Sequence, residues 1–230
     1  DQSRFYMTQR IGIFGGTFDP VHYGHIASGK ALVSELLLDK LYFMPCQQHP
    51  HHKYPGASPE QRVKMLTLAL SNKVINETQL YIDDRELKRE GLSYTVDSLQ
   101  EIRSELGDDT VIIFILGSDA FAALHQWERW QSLLSLANLA VIERAGQIRV
   151  EQINEPVLKH LLAQSVSEIN AASGELVQLE LEPYNISSTD LRLIFASREA
   201  SAAQKKMIDD YVPSSVVQYI EDQQLYQSSS

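Results

Sequence analysis

The sequence predicts an α/β fold: a doubly wound, Rossmann-like parallel sheet with a small C-terminal helical appendage. Three observations carry this. β-rich runs alternate with helical patterns along the chain, as βαβ crossovers require. Thr110 to Leu116 is an almost uninterrupted run of β-branched and other large apolar residues, the composition of a strand buried on both faces. No Gly/Ser linker, composition break or internal repeat divides the 230 residues, so one domain is expected over 7–226, its helical part at about 184–226.

The first strand spans Arg10 to Phe14 and runs into Gly15-Gly16. A helix follows over Tyr23 to Leu38, with Ile26, Val33, Leu36 and Leu37 on one face. Lys40 to Met44 is a second strand, stopped by Pro45, which has no N–H for a ladder. Ser58-Pro59-Glu60-Gln61 combines an N-cap serine, a first-turn proline and a glutamine three residues on, and starts a helix reaching about Ser71. Leu80 to Asp83 is a third strand. Thr95 caps a helix with Val96, Leu99, Ile102 and Leu106 on one face. After the buried strand come Gly117-Ser118-Asp119 and a helical stretch through Leu136, then a strand at Leu139 to Ile142. A helix over about Glu155 to Ala171 and a strand at Leu176 to Leu181 follow, and helices at Ser188 to Ala196 and Ser214 to Gln223 complete the order. Residues up to Gln9 and after Tyr226 are expected to be loose ends, with 1–6 a remnant ahead of a natural start at Met7.

Composition bounds the partners. Lys and Arg number 20 against 30 Asp and Glu, a net charge of −10, so no uniform basic field draws in nucleic acid. A local site for a small phosphorylated ligand remains allowed. The longest strongly apolar run, Val111 to Leu116, is far short of the roughly 20 residues a membrane helix needs, and no membrane partner is expected. The single cysteine, Cys46, excludes an intramolecular disulfide and suits a reducing cytoplasm; it lacks an activating pattern and reads as an inert apolar residue. The sequence leaves a homo-oligomer open.

In a doubly wound sheet ligands bind at the carboxyl ends of the strands. The end of the first strand carries Gly15-Gly16-Thr17-Phe18-Asp19-Pro20-Val21-His22-Tyr23-Gly24-His25. Two glycines let the backbone turn tightly, and the helix behind them points its amides and positive dipole end at the bend, which favours phosphate. His22 and His25, three apart, share a helical face, and Gly24 between them leaves room for a bulky group. Two imidazoles aimed at a phosphate-sized pocket can donate to oxygens on which charge builds. Two decoys fail. Gly12, Gly15 and Gly16 miss the dinucleotide Gly-x-Gly-x-x-Gly spacing because Phe14 stands where the second glycine is needed. Gly24 to Lys30 imitates Gly-x-x-x-x-Gly-Lys, but Ala31 replaces the hydroxyl residue and the stretch is helical.

Gly16 to His25 resembles the nucleotidyltransferase superfamily pattern that ends in His-x-Gly-His. Asp84-Arg85-Glu86-Leu87-Lys88-Arg89, Ser93-Tyr94-Thr95, Gly117-Ser118-Asp119 with Trp127, and Ile186-Ser187-Ser188-Thr189-Asp190-Leu191-Arg192 follow in the order seen in bacterial nicotinate-nucleotide adenylyltransferases. The resemblance covers roughly Ile11 to Tyr226. It implies transfer of the adenylyl group of ATP, with Mg2+, to nicotinate mononucleotide, and it implies a set of roles. His22 and His25 are the catalytic pair on the ATP phosphates. Gly15, Gly16, Thr17, Gly117, Asp119, Ser188, Thr189 and Arg192 join them in holding ATP, with Thr17 shared with the acceptor. Phe18, Lys53, Tyr94, Thr95 and Trp127 hold the mononucleotide, Trp127 by stacking on the nicotinate ring and Thr95 with its neighbours by donating N–H bonds to the carboxylate.

Plainer roles stay open at several positions. Asp119 can be an N-cap, Ser187 to Thr189 a simple cap beside an exposed Arg192, and Trp127 a core residue with Trp130 as partner. The segment His49-Pro50-His51-His52-Lys53 departs from the family, which has consecutive prolines before its histidine. Lys53 is the expected phosphate-binding group and His51 the aligned histidine, and no resident metal site is expected there. Rival readings are adenylyl transfer to nicotinamide mononucleotide or phosphopantetheine, and a non-catalytic adenine-nucleotide sensor.

Overall fold

In the computed structural model, which describes residues 8–47, 56–71, 74–75, 78–143, 147–182 and 184–227, the strands that the sequence predicts join one sheet. In chain order the strands are β1 (Arg10–Gly16), β2 (Lys40–Pro45), β3 (Val74–Ile75), β4 (Thr78–Ile82), β5 (Val111–Gly117), β6 (Asn138–Glu143) and β7 (Leu176–Glu180). Across the sheet they lie β3-β4-β2-β1-β5-β6-β7. Every pairing is parallel except β3 with β4. Numbering the parallel strands alone, the order is 3-2-1-4-5-6, and it reverses direction between β1 and β5. A crevice opens at such a switch point because the crossovers on either side depart to opposite faces.

The helices are α1 (Tyr23–Glu35), α2 (Pro59–Leu70), α3 (Arg85–Lys88), α4 (Thr95–Leu106), α5 (Ser118–Ala122), α6 (Leu133–Leu136), α7 (Pro156–Ala163), α8 (Ser188–Ala196), α9 (Ala202–Tyr211) and α10 (Ser214–Asp222). Alternation along β5 divides the apolar interior. Val111, Ile113 and Ile115 pack with Leu32 of α1, Leu66 of α2 and Val216 and Ile220 of α10. Ile112, Phe114 and Leu116 pack with Leu99 and Ile102 of α4 and Leu133 of α6. Both faces of β5 are thus covered, which is why its sequence shows no polar alternation.

Several expected boundaries shift for physical reasons. α1 stops at Glu35 rather than Leu38, because Leu37 takes φ +52° and turns outward, 62% exposed, off the apolar face assigned to it. The Ser58 cap is present, with Gln61 N donating to Ser58 Oγ at 3.2 Å and Ser58 N to Gln61 Oε1 at 2.9 Å. Thr95 does not cap α4; it is the first helical residue and Tyr94 occupies the cap position. The stretch 118–136 is not one helix. It breaks into α5, two 3-10 turns (Leu124–Gln126 and Trp130–Ser132) and α6, interrupted where Trp127 is extended and Arg129 adopts φ +47°. α7 ends at Ala163, since the chain beyond it bridges to the sheet at Val166 and Val177. β3, α3 and α9 were not predicted. Among the described residues no helix is long and apolar enough to cross a membrane.

Asn138 shows how the far half of the sheet is held. Its side chain is fully buried, donates Nδ2 to Ala171 O at 2.8 Å and Ile112 O at 3.2 Å, and accepts from Glu175 N at 2.9 Å. Asn138→Ala strands these backbone groups away from water. It is expected to lower unfolding stability by about 3 kcal/mol in urea denaturation; a loss below about 0.5 kcal/mol means the bonds are replaceable.

Candidate active site

The crevice at the switch point is a cleft of about 690 Å³. It is bordered by Gly15, Gly16, Thr17, Phe18, His22 and His25 from the β1–α1 region, by Asp119 after β5, and by Ser188, Thr189 and Arg192 of α8. These sequence-distant segments meet only because β1 and β5 are neighbours and α8 folds back over them. Gly117, the last residue of β5, is not among the residues that border it.

The histidine pair is built by the start of α1. His22 is the N-cap, and its Nδ1 accepts from Gly24 N at 3.0 Å. His22 N in turn donates to His25 Nδ1 at 3.1 Å. With Nδ1 of each ring acting as acceptor, a neutral imidazole carries its proton on Nε2. The rings lie 3.9 Å apart at 34°, and both are at least nine-tenths buried. Gly24 proves necessary for a reason other than room for a ligand. A Cβ there would stand 2.7 Å from His22 Cε1, so the room is filled by the histidine ring itself. Phe18 borders the cleft with a ring that is only 2% exposed, edge-on to His25 at 5.0 Å and folded over Gly16.

α8 begins as its sequence demands. Ser187 caps it, with Asp190 N donating to Ser187 Oγ at 3.1 Å. Arg192 is not simply exposed: Nη1 donates to Asp19 O at 2.6 Å and Nη2 to Thr189 Oγ1 at 3.2 Å, at the rim of the cleft. Ser188 Oγ donates to Pro20 O at 2.9 Å. Asp119 lies inside α5 and does not cap it; its Oδ1 accepts from Ile148 N at 2.7 Å.

Tyr94, Thr95 and Trp127 do not border this cleft. Arg129, two residues after Trp127, pairs with Asp97 in the first turn of α4 and so joins the two segments that carry them. Trp127 is half-buried, 6.4 Å from the Phe114 ring, and Trp130 packs against the same core. Lys53, His51 and the rest of that histidine-rich segment lie outside the described residues.

Two residues near the site carried no expectation. Arg62, only 1% exposed, donates Nη1 to Thr17 O at 2.9 Å and Cys46 O at 2.7 Å, clamping the ends of β1 and β2, while its Nε is buried without an acceptor. The signal was an arginine on the same α2 face as Met65, Leu66 and Ala69. Glu86, 3% exposed, accepts from Ser98 Oγ at 3.0 Å, and Ser98 accepts from Arg89, which also bonds Ser93 and Glu101. That chain braces the residues leading to Tyr94. Burial pushes the Glu86 carboxyl up to about 7 against the lowering effects of Ser98 and Arg89. Burial also pushes the Cys46 thiol up, in keeping with an unreactive cysteine.

The cytidylyltransferase-like family model matches residues 13–194. Relatives described as probable nicotinate-nucleotide adenylyltransferases, from Cellvibrio japonicus and Chromobacterium violaceum, are 41% and 38% identical over 224 residues, covering 96% of this chain and 100% of each relative. The chain belongs to the nicotinate-nucleotide adenylyltransferase family. The solved nicotinic acid mononucleotide adenylyltransferase of Plasmodium falciparum, complexed with NaAD, superposes with a TM-score of 0.71 at 20% identity, covering 95% of this chain and 97% of that one. The same enzyme complexed with APC gives 0.67 at 19% identity over the same shares. These two share the fold. Nucleotidyltransferases generally use a divalent metal. Among the described residues no group of three His, Cys, Asp or Glu could cage one.

Glu86 yields a pH test. Folding raises its pKa from 4.5 to about 7, so between those values the native state holds the extra proton. The resulting stability is full below about 4.5 and lost as pH rises through about 7. Glu86→Gln should therefore lose less stability than the parent between pH 5 and 8, the difference reaching up to about 3 kcal/mol. Parallel urea midpoints across that range would exclude a raised carboxyl.

Proposed function

We propose that this chain transfers the adenylyl group of ATP to nicotinate mononucleotide, giving deamido-NAD and pyrophosphate. The observation that carries the proposal is the convergence of a glycine bend, two adjacent imidazoles and the arginine-bearing helix α8 on one cleft at the sheet's switch point. The family relationship supports the acceptor.

The acceptor phosphate is already largely a dianion near neutral pH, its second ionisation lying around 6, so no protein base has to create the nucleophile. One of its oxygens bonds to the α-phosphorus of ATP as the bond from that phosphorus to the bridging oxygen breaks, and pyrophosphate leaves with the electron pair. What remains for the protein is to align two anions and to neutralise the charge that gathers. In this reading His22 and His25 donate from Nε2 to the phosphate oxygens under attack. The backbone at Gly15 and Gly16 and the Thr17 hydroxyl hold the α-phosphate and the acceptor phosphate. Arg192, with Ser188 and Thr189, clamps the β- and γ-phosphates, and Asp119, next to Gly117, takes hydrogen bonds from ribose hydroxyls. A divalent ion such as Mg2+, bound together with ATP, would supply charge neutralisation to the leaving pyrophosphate, while Arg192, Ser188 and Thr189 hold the phosphates from the protein side.

The nicotinate ring stacks on Trp127. The amides at the start of α4 face its carboxylate from Thr95 beside Tyr94. An amide in place of that carboxylate leaves these donors poorly matched, which gives the acid its preference. Lys53 adds a phosphate contact from its segment. The reaction is cytoplasmic, in keeping with the lone cysteine.

Pyrophosphate release measured with each acceptor in turn tests the function. Nicotinate mononucleotide is expected to turn over fastest; equal rates with nicotinamide mononucleotide remove the specificity, and ATP binding without turnover of any acceptor makes the chain a sensor. His25→Ala is expected to lower kcat about a hundredfold or more with the fold retained, and a near-normal rate assigns the imidazoles to structure. Trp127→Ala should raise KM for the mononucleotide far more than KM for ATP.

A further inference from the structure

Asp19 lies three residues before His22 and is 1% exposed. Its Oδ1 accepts two hydrogen bonds from distant parts of the chain: Ala57 N, just ahead of α2, at 3.0 Å, and the hydroxyl of Tyr226, 207 residues away, at 2.6 Å. The Tyr226 ring is itself held at 6.1 Å from Phe195 of α8, with its hydroxyl 3.9 Å from Met65 Sδ. The backbone that delivers it is unusual, since Gln224 (φ +53°) and Tyr226 (φ +64°) both adopt the left-handed region without being glycine. Such conformations cost free energy and persist where surrounding contacts hold them. Leu225 N, between them, donates to Ile220 O at 2.9 Å and fixes the turn to the end of α10. Arg192 on Asp19 O and Ser188 on Pro20 O act on the same short segment.

We infer that Tyr226 is a positioning residue for adenylyl transfer, its hydroxyl anchoring Asp19 and thereby setting where the His22–His25 pair stands in the cleft. The inference rests on the proposed reaction for its kinetic readout. The hydroxyl is not itself part of the cleft border and reaches it through Asp19, which is. Burial beside the Asp19 carboxylate raises the phenol's pKa, so the bond keeps its proton throughout the working range. The acceptor cluster at Tyr94, Thr95 and Trp127 rides on α4 and the turn after α5, away from this anchor. A loosened loop therefore affects phosphate alignment more than it affects the nicotinate-ring contacts assigned to Tyr94, Thr95 and Trp127.

The test is Tyr226→Phe, which removes one oxygen and keeps the ring. Expected are a kcat about tenfold lower, a KM for nicotinate mononucleotide within twofold of the parent, and faster amide exchange at residues 19–25 in the substrate-free protein. In an Asp19→Ala background the same substitution should change kcat no further. An unchanged kcat overturns the inference even where thermal stability falls, because the bond is then purely structural; so does unchanged exchange at 19–25, or losses that simply add in the double variant. Should Asp19→Ala fail to fold, the kcat, KM and exchange values of Tyr226→Phe decide alone. A parent protein that turns over no acceptor defeats the adenylyl-transfer reading instead, and the exchange comparison still judges the anchor.

Discussion

His22 folds its ring back over the first turn of α1 and accepts from the amide of Gly24, while its own amide donates to the ring of His25. Each imidazole thereby occupies a backbone group that a helix start otherwise leaves without a partner, and each is turned so that the opposite nitrogen carries the proton. Helix capping and the chemistry of the cleft are the same pair of hydrogen bonds. That economy constrains the surroundings: residue 24 has no space for a Cβ, Phe18 must sit behind His25, and Gly16 must accommodate Phe18. A substitution at any of these positions alters the cap and the cleft together.

A chain of net charge −10 that receives a triphosphate and a phosphate monoester depends on local organisation, since its overall field repels them. The cations near the cleft are spent partly on the protein itself. Arg192 reaches Asp19 O, and Arg62 holds Thr17 O and Cys46 O from beneath. Both fix carbonyls that would otherwise present negative dipoles at will. They order the bend before a ligand arrives, which lowers the reorganisation demanded during the reaction. Leaving Arg62 Nε without an acceptor has a cost in stability, accepted at a point where rigidity serves the site.

The sheet was legible because each parallel strand is an apolar run flanked by helical periodicity, and β5 shows its double burial in its residue types alone. α8 was read to the residue, since Ser187 and Asp190 form a reciprocal cap at one end. The break in 118–136 escaped notice because Trp127 and Arg129 carry no breaker signal; tertiary packing, with Arg129 reaching Asp97, sets their backbone. α9 has a charged and weakly amphipathic sequence and gave no periodic stripe. Of the expected ATP set, all but Gly117 border the cleft, and Phe18 borders it while packing into the core, whereas Tyr94, Thr95 and Trp127 lie outside its border. Asp19 and Tyr226 exemplify what local pattern cannot express: a bond across nearly the whole chain leaves no trace in either neighbourhood.

The chain has two tryptophans, Trp127 and Trp130, and both sit on the interrupted stretch between α5 and α6, beside Phe114 and the start of α4. The half of the molecule that holds the imidazoles and α8 contains no indole at all. Intrinsic emission excited at the red edge consequently reports on the Trp127 side, which stands outside the border of the cleft, and is blind to the imidazole side, a built-in optical asymmetry.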